Sequence, residues 1–456
     1  MIRQQQQPGT DIGQVLDHGR WGAYQKLVLV LVASAIVLDG FDNQVLGFAV
    51  PVLVKEWGLD RAAFGPVFGL GFLGMSVGTM LGGWAGDRIG RRLALIFSVV
   101  LFGAGTALTA FTDGIVSLGL CRVAAGLGLG GAMPTAAALI AEFTPAARRG
   151  LAVTLGIVCI PLGGVLGGFI AAEVLPTTGW RMLFGIAGLL PLLVAGLLLL
   201  LLPESPRFLL RKGQTVAAAK IMARITGEQV SLPLRDTGDS SPVGRGSVRM
   251  LLAPGLRVDT LALWLAFFAC LLSTYLVFSW APTYLSQSGF SLVVSSQGLA
   301  VFNIGGVLGA IATAIWIAQA GSRRALVSLA VLAAAGAALL ALFPLAPAKP
   351  AAAFIALFLE GGLINGVQTG LYVLAAQLYP LPIRGSGVGA ASGVGRLGAI
   401  VSSFVGVAVV GSGAFAYFGT ITIALGVALF ALATMRRHVP PVASVTGQVE
   451  GAAAYG

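Results

Sequence analysis

Charge is scarce in this chain. Only 10% of its 456 residues are Asp, Glu, Lys or Arg, against 57% hydrophobic residues and a mean hydropathy of +0.92. So few charges exclude a water-soluble globular domain and leave a polytopic α-helical membrane protein. Cysteine is nearly absent, and Cys121, Cys159 and Cys270 all fall inside apolar runs, so neither a disulfide nor a metal site is expected. The two histidines, His18 and His438, lie in the tails, which removes histidine from any buried proton relay. Residues Met1 to Arg20 are polar and lack the apolar core of a cleaved signal, so they read as a disordered cytoplasmic tail. No nucleophile–base pair and no metal cluster is visible, and no Gly-Lys-Ser/Thr follows the glycine-rich loop. The expectation is therefore no enzyme and no cofactor.

Long apolar runs are what the chain does have. They are continuous rather than short and alternating, which excludes a β-barrel. About twelve spans of membrane-crossing length emerge, at 26–50, 63–86, 93–111, 115–141, 151–173, 181–202, 260–285, 292–320, 325–345, 352–376, 386–410 and 414–434. The 65 glycines suit membrane helices, whose small residues let backbones approach, as in the ladders Gly74/Gly78/Gly82 and Gly164/Gly168. One long break divides the chain into a tail over 1–25, a six-helix bundle over 26–202, a central cytoplasmic loop over 203–259, a second six-helix bundle over 260–434 and a cytoplasmic tail over 435–456.

Lysine and arginine orient these spans. With the N-terminus cytoplasmic, the outer loops hold Lys55, Arg61, Arg181 and Lys349, and the inner loops and tails hold about 22 of the 28 basic residues. That asymmetry accounts for the net charge of +11 and pI of 10.1 without nucleic acid as a partner, and it is consistent with both termini on the cytoplasmic side. The halves also repeat. Trp84 to Arg92 aligns with Trp316 to Arg324, and Ala141 to Gly150 with Ala376 to Gly385, at offsets of 232 and 235 residues. A duplicated six-helix unit follows, of the parallel kind found in two-lobed transporters. Asp87 and Glu142 of the first half become Gln319 and Gln377 in the second, so a charged lock is expected on one side only.

Against this apolar background the buried polar residues stand out. Asp39 and Asp42 lie three apart on one face of the first span, where an unpaired charge costs about 3 kcal/mol. Arg122 in the fourth span sits at a matching depth, roughly 10–12 Å below the surface, and is the expected partner of Asp42. Pairing leaves Asp39 as the freer carboxylate, suited to taking and releasing a proton; the plainer alternative is that one acid merely neutralises Arg122. Arg122 itself either modulates these acids or meets an anionic substrate. Arg396, among Gly393, Gly395 and Gly398 in the eleventh span, suits bidentate pairing with a carboxylate on a flat ring, or else is a structural cation. Asn365, Gln368, Thr369 and Tyr372 form one stripe on the tenth span; Tyr275 and Trp280 offer aromatic surface on the seventh, and Asn303 a polar group on the eighth. Such stripes either line a path or glue helices together. Glu360, five residues before Asn365, falls off the stripe; a position near the outer water is one reading of it, and no role is assigned. In the loops, Gly83, Asp87, Arg88, Gly90, Arg91 and Arg92, with Glu142, Arg148 and Arg149, suit an inter-helix salt-bridge lock, with Arg384 its counterpart in the other half.

These motifs resemble those of the major facilitator superfamily over essentially the whole chain. The resemblance rests on the loop Gly83 to Arg92, on Arg122 to Gly130 and on Pro203 to Leu209. Asp39-Gly40-Phe41-Asp42, Gly130 to Pro134, Ser279 to Thr283, Leu378-Tyr379-Pro380 and Gly393 to Arg396 together resemble the aromatic acid:proton symporters. Gln319 departs from that pattern, because an acid is expected there. The resemblance implies alternating-access import of a benzoate- or hydroxybenzoate-type carboxylate with protons, by a chain whose simplest state is a monomer. The alternatives are another branch of the superfamily (a sugar or dicarboxylate symporter, or an exporter) and a membrane sensor that binds such an acid without moving it.

Overall fold

The computed structural model describes residues 10–19, 21–227, 234–235 and 248–441. The chain enters through a two-residue strand, β1 (Thr10–Asp11), and a short helix, α1 (Ile12–His18). Strand β1 pairs in parallel with β2 (Leu234–Arg235) of the central segment. Ile12 and Leu16 bury themselves against Leu209, Ala218, Met222 and Leu234, so residues 10–18 are folded where a disordered tail was expected. The central segment also forms α8 (Pro206–Arg211), α9 (Thr215–Thr226) and α10 (Val248–Leu251).

Among the described residues, twelve helices are long and apolar enough to cross a membrane. The first six are α2 (Ala23–Trp57), α3 (Phe64–Ile89), α4 (Arg91–Thr109), α5 (Ile115–Phe143), α6 (Ala146–Thr177) and α7 (Gly179–Leu201). The second six are α11 (Arg257–Gln287), α12 (Leu292–Ala320), α13 (Ser322–Leu342), α14 (Pro350–Leu378), α15 (Leu381–Val410) and α16 (Gly413–Thr434). Most begin before or end after the corresponding apolar run, because a helix continues through polar residues until a turn stops it. Helix α2, for instance, ends where Gly58 takes φ of +60°, a left-handed C-terminal cap that costs glycine nothing.

The packing repeats as the sequence does. In the first bundle α3 lies along α5, α2 along α6 and α4 along α7; in the second α12 lies along α14, α11 along α15 and α13 along α16. The bundles meet through α6 with α12, α3 with α15 and α2 with α11. An even number of crossings returns the chain to its starting face, so both ends of the helical array lie on one side.

The glycine ladders do two different jobs. Gly74, Gly78 and Gly82 let α3 approach the backbone of α5 at Val123, Leu127 and Gly131, within one bundle. Gly164 and Gly168 instead face Asn303, Ala300 and Ser296 of α12, between bundles. Such approaches replace the missing hydrophobic drive between membrane helices with close van der Waals contact. The difference is testable by thermal unfolding in detergent. Gly78→Leu should destabilise by about 1–3 kcal/mol through overpacking, because its Cβ would meet the Leu127 carbonyl. Gly419→Ala, which faces open space in α16, should be neutral or stabilising by about 0.5 kcal/mol.

Candidate functional site

Buried charge gathers first inside the first bundle. Asp42 of α2 and Arg122 of α5 are 2% and 5% exposed, and Arg122 Nη1 lies 3.5 Å from Asp42 Oδ1. That distance is long for a charge-assisted hydrogen bond, and Thr106 of α4 fills the gap. Its hydroxyl donates to Asp42 Oδ1 and accepts from Arg122 Nη2 at 2.8 Å. Arg122 Nη2 also donates to Thr109 Oγ1 at 3.1 Å, and the guanidinium lies 5.2 Å from the Phe184 ring centroid. Arg122 thus has anionic, hydroxyl and aromatic neighbours at once. Asp42 Oδ2, Arg122 Nε and Asn43 Oδ1 have no protein partner and border a cavity of about 30 Å³, which is room for about one water.

A second charged group spans the two bundles. Asp39, one turn from Asp42, is 6% exposed and lies within electrostatic reach of Arg396 on α15. Arg396 also acts on Tyr275 of α11 and Tyr372 of α14. Asn43 Nδ2 donates to the Tyr275 hydroxyl at 3.3 Å, and Phe72 of α3 meets the Tyr275 ring edge-on at 4.8 Å. Phe267 meets Tyr372 edge-on at 5.0 Å, and Thr274 donates to Gln368 Oε1 at 3.1 Å. Asn43, Tyr275 and Gln368 are each half-buried at mid-helix between fully buried neighbours, and Tyr372 and Arg396 are half-buried beside the buried Leu371 and Gly395. That pattern marks a polar and aromatic lining between the bundles, next to the Asp39 carboxylate.

Other candidates fall elsewhere. Trp280 is fully buried, its ring tilted against Phe68 at 5.3 Å and pressed against Gly406, so it seals the bundle interface instead of facing a path. Asn303 is also fully buried and exchanges two hydrogen bonds with Gln44 of α2, at 2.8 and 3.2 Å. Asn365 donates to the Gly361 carbonyl and lies against Gly306 of α12, inside the second bundle; Thr369, one turn on, is 4% exposed. Helix α14 therefore divides its stripe, with Gln368 and Tyr372 toward α11 and Asn365 toward α12. Glu360 is not near outer water. It is 3% exposed, close to Gly336 and bordering a cavity with Tyr284 and Tyr417. Asn43 and Gln44 were not singled out from sequence, although Asn43 follows Asp39 by one helical turn. Thr106 and Thr109 carried no signal, since a lone threonine in an apolar span reads as packing.

Salt bridges on the face of the chain ends stay within one half or the other, and Arg437 Nε lies 3.8 Å from Asp259 Oδ2 in the second. Arg91 Nη1 pairs with Asp87 at 3.0 Å, and Arg91 Nε lies 2.9 Å from Glu142 Oε1 at an angle that misses a hydrogen bond. Arg92 N donates to Glu204 Oε1 at 3.2 Å, and Arg88 stacks on Trp84 at 4.6 Å. Burial pushes the Glu204 carboxyl above the usual range, and backbone N–H groups of Ser205 and Arg92 pull it back. Gly90, with φ of +105°, brings its backbone against that carboxylate where a Cβ would not fit, whereas Gly83 faces open space. Arg149 pairs with Asp17 of α1, Arg148 is exposed, and Arg384 donates to the Tyr379 carbonyl at 3.5 Å. The expected partners across the two halves are thus held inside each half. In the second half the chain's end replaces the missing acids. Ser322 and Val439 exchange hydrogen bonds at 2.8 and 2.9 Å, Ser322 also meets His438 at 3.3 Å, and Asp259 accepts from the Arg436 and Arg437 backbones.

Contacts between the bundles gather away from the chain ends. Phe68 with Trp280, Phe72 with Tyr275 and Gln44 with Asn303 all lie in the helix halves remote from that face.

Residues 32–403 match the family described as Major Facilitator Superfamily. The chain is 34% identical to a gallate transporter of Pseudomonas putida, covering 88% of this chain and 89% of that one. It is 35% identical to a 4-hydroxybenzoate transporter of Pseudomonas aeruginosa, over 86% and 87% respectively. Its fold superposes on a partially occluded, inward-open structure of the xylose transporter XylE from E. coli with a TM-score of 0.72, at 20% identity, covering 91% of this chain and 99% of that one.

The first charge cluster predicts strong non-additivity. Arg122→Met leaves Asp42 buried without its cation and should cost about 3–5 kcal/mol. Adding Asp42→Asn in the same chain should recover much of that loss in thermal unfolding. A loss in the double variant equal to the sum of the two single-variant losses would mean that the two side chains act independently.

Proposed function

The chain belongs to the major facilitator superfamily, and on that premise we propose that it imports an aromatic carboxylate together with protons. Membership makes it a multi-pass membrane transporter, not an enzyme. One observation carries the substrate class. Arg396, a fixed cation, stands half-buried between the bundles beside Tyr275 and Tyr372, which are packed edge-on by Phe72 and Phe267. A guanidinium binds a carboxylate bidentately, and ring edges and faces bind a flat aromatic body. A hydroxyl on that ring would find Gln368 or Asn43. The named relatives support this class, since both are transporters of hydroxylated benzoates.

Proton coupling follows from charge balance. Without substrate, two carboxylates face two guanidiniums: Asp42 with Arg122, and Asp39 with Arg396. A substrate carboxylate that takes Arg396 leaves Asp39 without its cation in a medium that penalises lone charge. Protonating Asp39 restores neutrality, so anion and proton enter together. Import against an inside-negative potential costs roughly 2.3 kcal/mol per charge per 100 mV, and more than one proton per anion makes entry electrogenic.

The basic face that carries both chain ends is assigned to the cytoplasm of a bacterial inner membrane. With the bundles sealed at their remote halves, the molecule is then inward-facing. Opening outward requires the Phe68–Trp280 and Gln44–Asn303 contacts to part while the salt-bridged loops of the opposite face close. The proton gradient is the only energy source invoked, no cofactor takes part, and one chain contains the complete site.

The test is uptake of labelled 4-hydroxybenzoate into proteoliposomes, with and without an inward proton gradient, competed by aromatic acids and by glucose. Gradient-dependent uptake blocked by aromatic acids alone is expected, and block by glucose would move the chain to a sugar branch. Asp39→Asn should abolish gradient-driven accumulation while leaving folded, inserted protein. Arg396→Lys should raise the apparent KM by roughly tenfold or more, the loss of one good charge-assisted hydrogen bond. An unchanged KM would place the carboxylate elsewhere.

A further inference from the structure

A second anion site lies outside the central path, on the face of the chain ends. The start of α2, the segment after α1 and the first turn of α6 enclose a cavity of about 760 Å³. Its charged lining consists of Lys26, Arg148 and Asp17. Asp17 is already paired with Arg149, whereas Lys26 and Arg148 are exposed and, among the described residues, form no ion pair. Trp21 also lines the cavity, with Lys26 Nζ 6.0 Å from its ring centroid. The indole Nε1 of Trp21 is shielded from solvent and has no acceptor. Two cations without an ion pair and an indole N–H without an acceptor therefore line the same cavity. The first turn of α6, which carries Ala147 and Arg148, adds the positive end of a long helix.

The outer wall of this corner is apolar and unpartnered. Leu27 and Val30 of α2 are 43% and 64% exposed, and Val30 stands one turn above Lys26 on the same face. The Lys26 side chain leans toward the start of its helix, so its ammonium reaches the water boundary while the residues above it face acyl chains. A soluble anion would use the cations and leave that apolar flank idle. A lipid uses both.

We infer that this corner binds the phosphate headgroup of an anionic phospholipid, held by Lys26, Arg148 and the Trp21 N–H, with its acyl chains along Leu27 and Val30. A basic pocket between helices at the membrane boundary is the chemistry that selects such lipids from neutral ones. The site ties the N-terminal segment, through Asp17 and Arg149, to the bilayer surface beside the first spanning helix. It is independent of which solute the chain carries.

The test uses the full chain in nanodiscs of mixed phosphatidylglycerol and phosphatidylcholine, released into native mass spectrometry, with the retained lipids counted. The wild type should retain phosphatidylglycerol selectively. The double variant Lys26→Gln/Arg148→Gln should lose about 25-fold in that preference, roughly fivefold for each cation at an anionic surface. Trp21→Phe, which keeps the ring and removes the N–H, should lose part of it. Removing the same charge elsewhere on this face, with Arg211→Gln/Lys212→Gln, should leave the preference unchanged. Equal loss in that control, or retention undiminished in the site variant, overturns the assignment. Displacement of the lipid by millimolar glycerol phosphate would also overturn it, because the site would then read a free phosphate.

Discussion

Everything in this molecule depends on keeping charge balanced where water is scarce. The first spanning helix puts two carboxylates three residues apart in an apolar bundle; Asp42 is paired with Arg122, and Asp39 lies within electrostatic reach of Arg396. Arg122 comes from the same bundle and is fixed by Thr106, Thr109 and the Phe184 ring. Arg396 comes from the opposite bundle and is half-buried. One pair is structural and stays within a rigid body. The other group lies across the interface of the two bundles, which is where the proposed exchange of Asp39, anion and proton at Arg396 would take place.

That division explains why the remaining polar groups are arranged as they are. Gln44 and Asn303 close the bundle interface with two neutral hydrogen bonds, which can be exchanged for water at little cost when the interface opens. An ion pair in the same place would resist opening far more strongly. On the opposite face the charged network is held within the first bundle by Asp87, Arg91 and Glu142, and within the second by Asp259, Ser322 and the segment from Met435 to Val439. Each half is thus stiffened separately, as rocking bodies require.

Much of this was legible in the sequence, for physical reasons. A bilayer imposes about twenty apolar residues per crossing, so the helices could be counted, and a charge inside a span is costly enough that Asp39, Asp42, Arg122 and Arg396 stood out. Matching depth alone paired Asp42 with Arg122. What could not be read was rotation about each helix axis. Trp280 and Asn303 lie at suitable depths but turn toward the seal, and Asn365 turns into its own bundle while Gln368, three residues on, faces Thr274. Threonines were invisible because a hydroxyl in a helix can always satisfy itself on the preceding turn, so Thr106 gave no sign of bridging Asp42 and Arg122. The N-terminal tail misled in the opposite direction. Its polarity suggested disorder, yet Ile12 and Leu16 suffice to dock α1 on α8 and α9.

The account stands or falls on whether anion binding forces a proton onto the molecule. The direct measurement is proton uptake by purified protein in weakly buffered solution at neutral pH, followed with an indicator dye as 4-hydroxybenzoate is added. Charge balance predicts up to one proton taken up per anion bound in the wild type, and none in Asp39→Asn, where the bound anion itself neutralises Arg396. Saturable binding by the wild type with no proton uptake would contradict it, because the substrate charge would then be answered without Asp39.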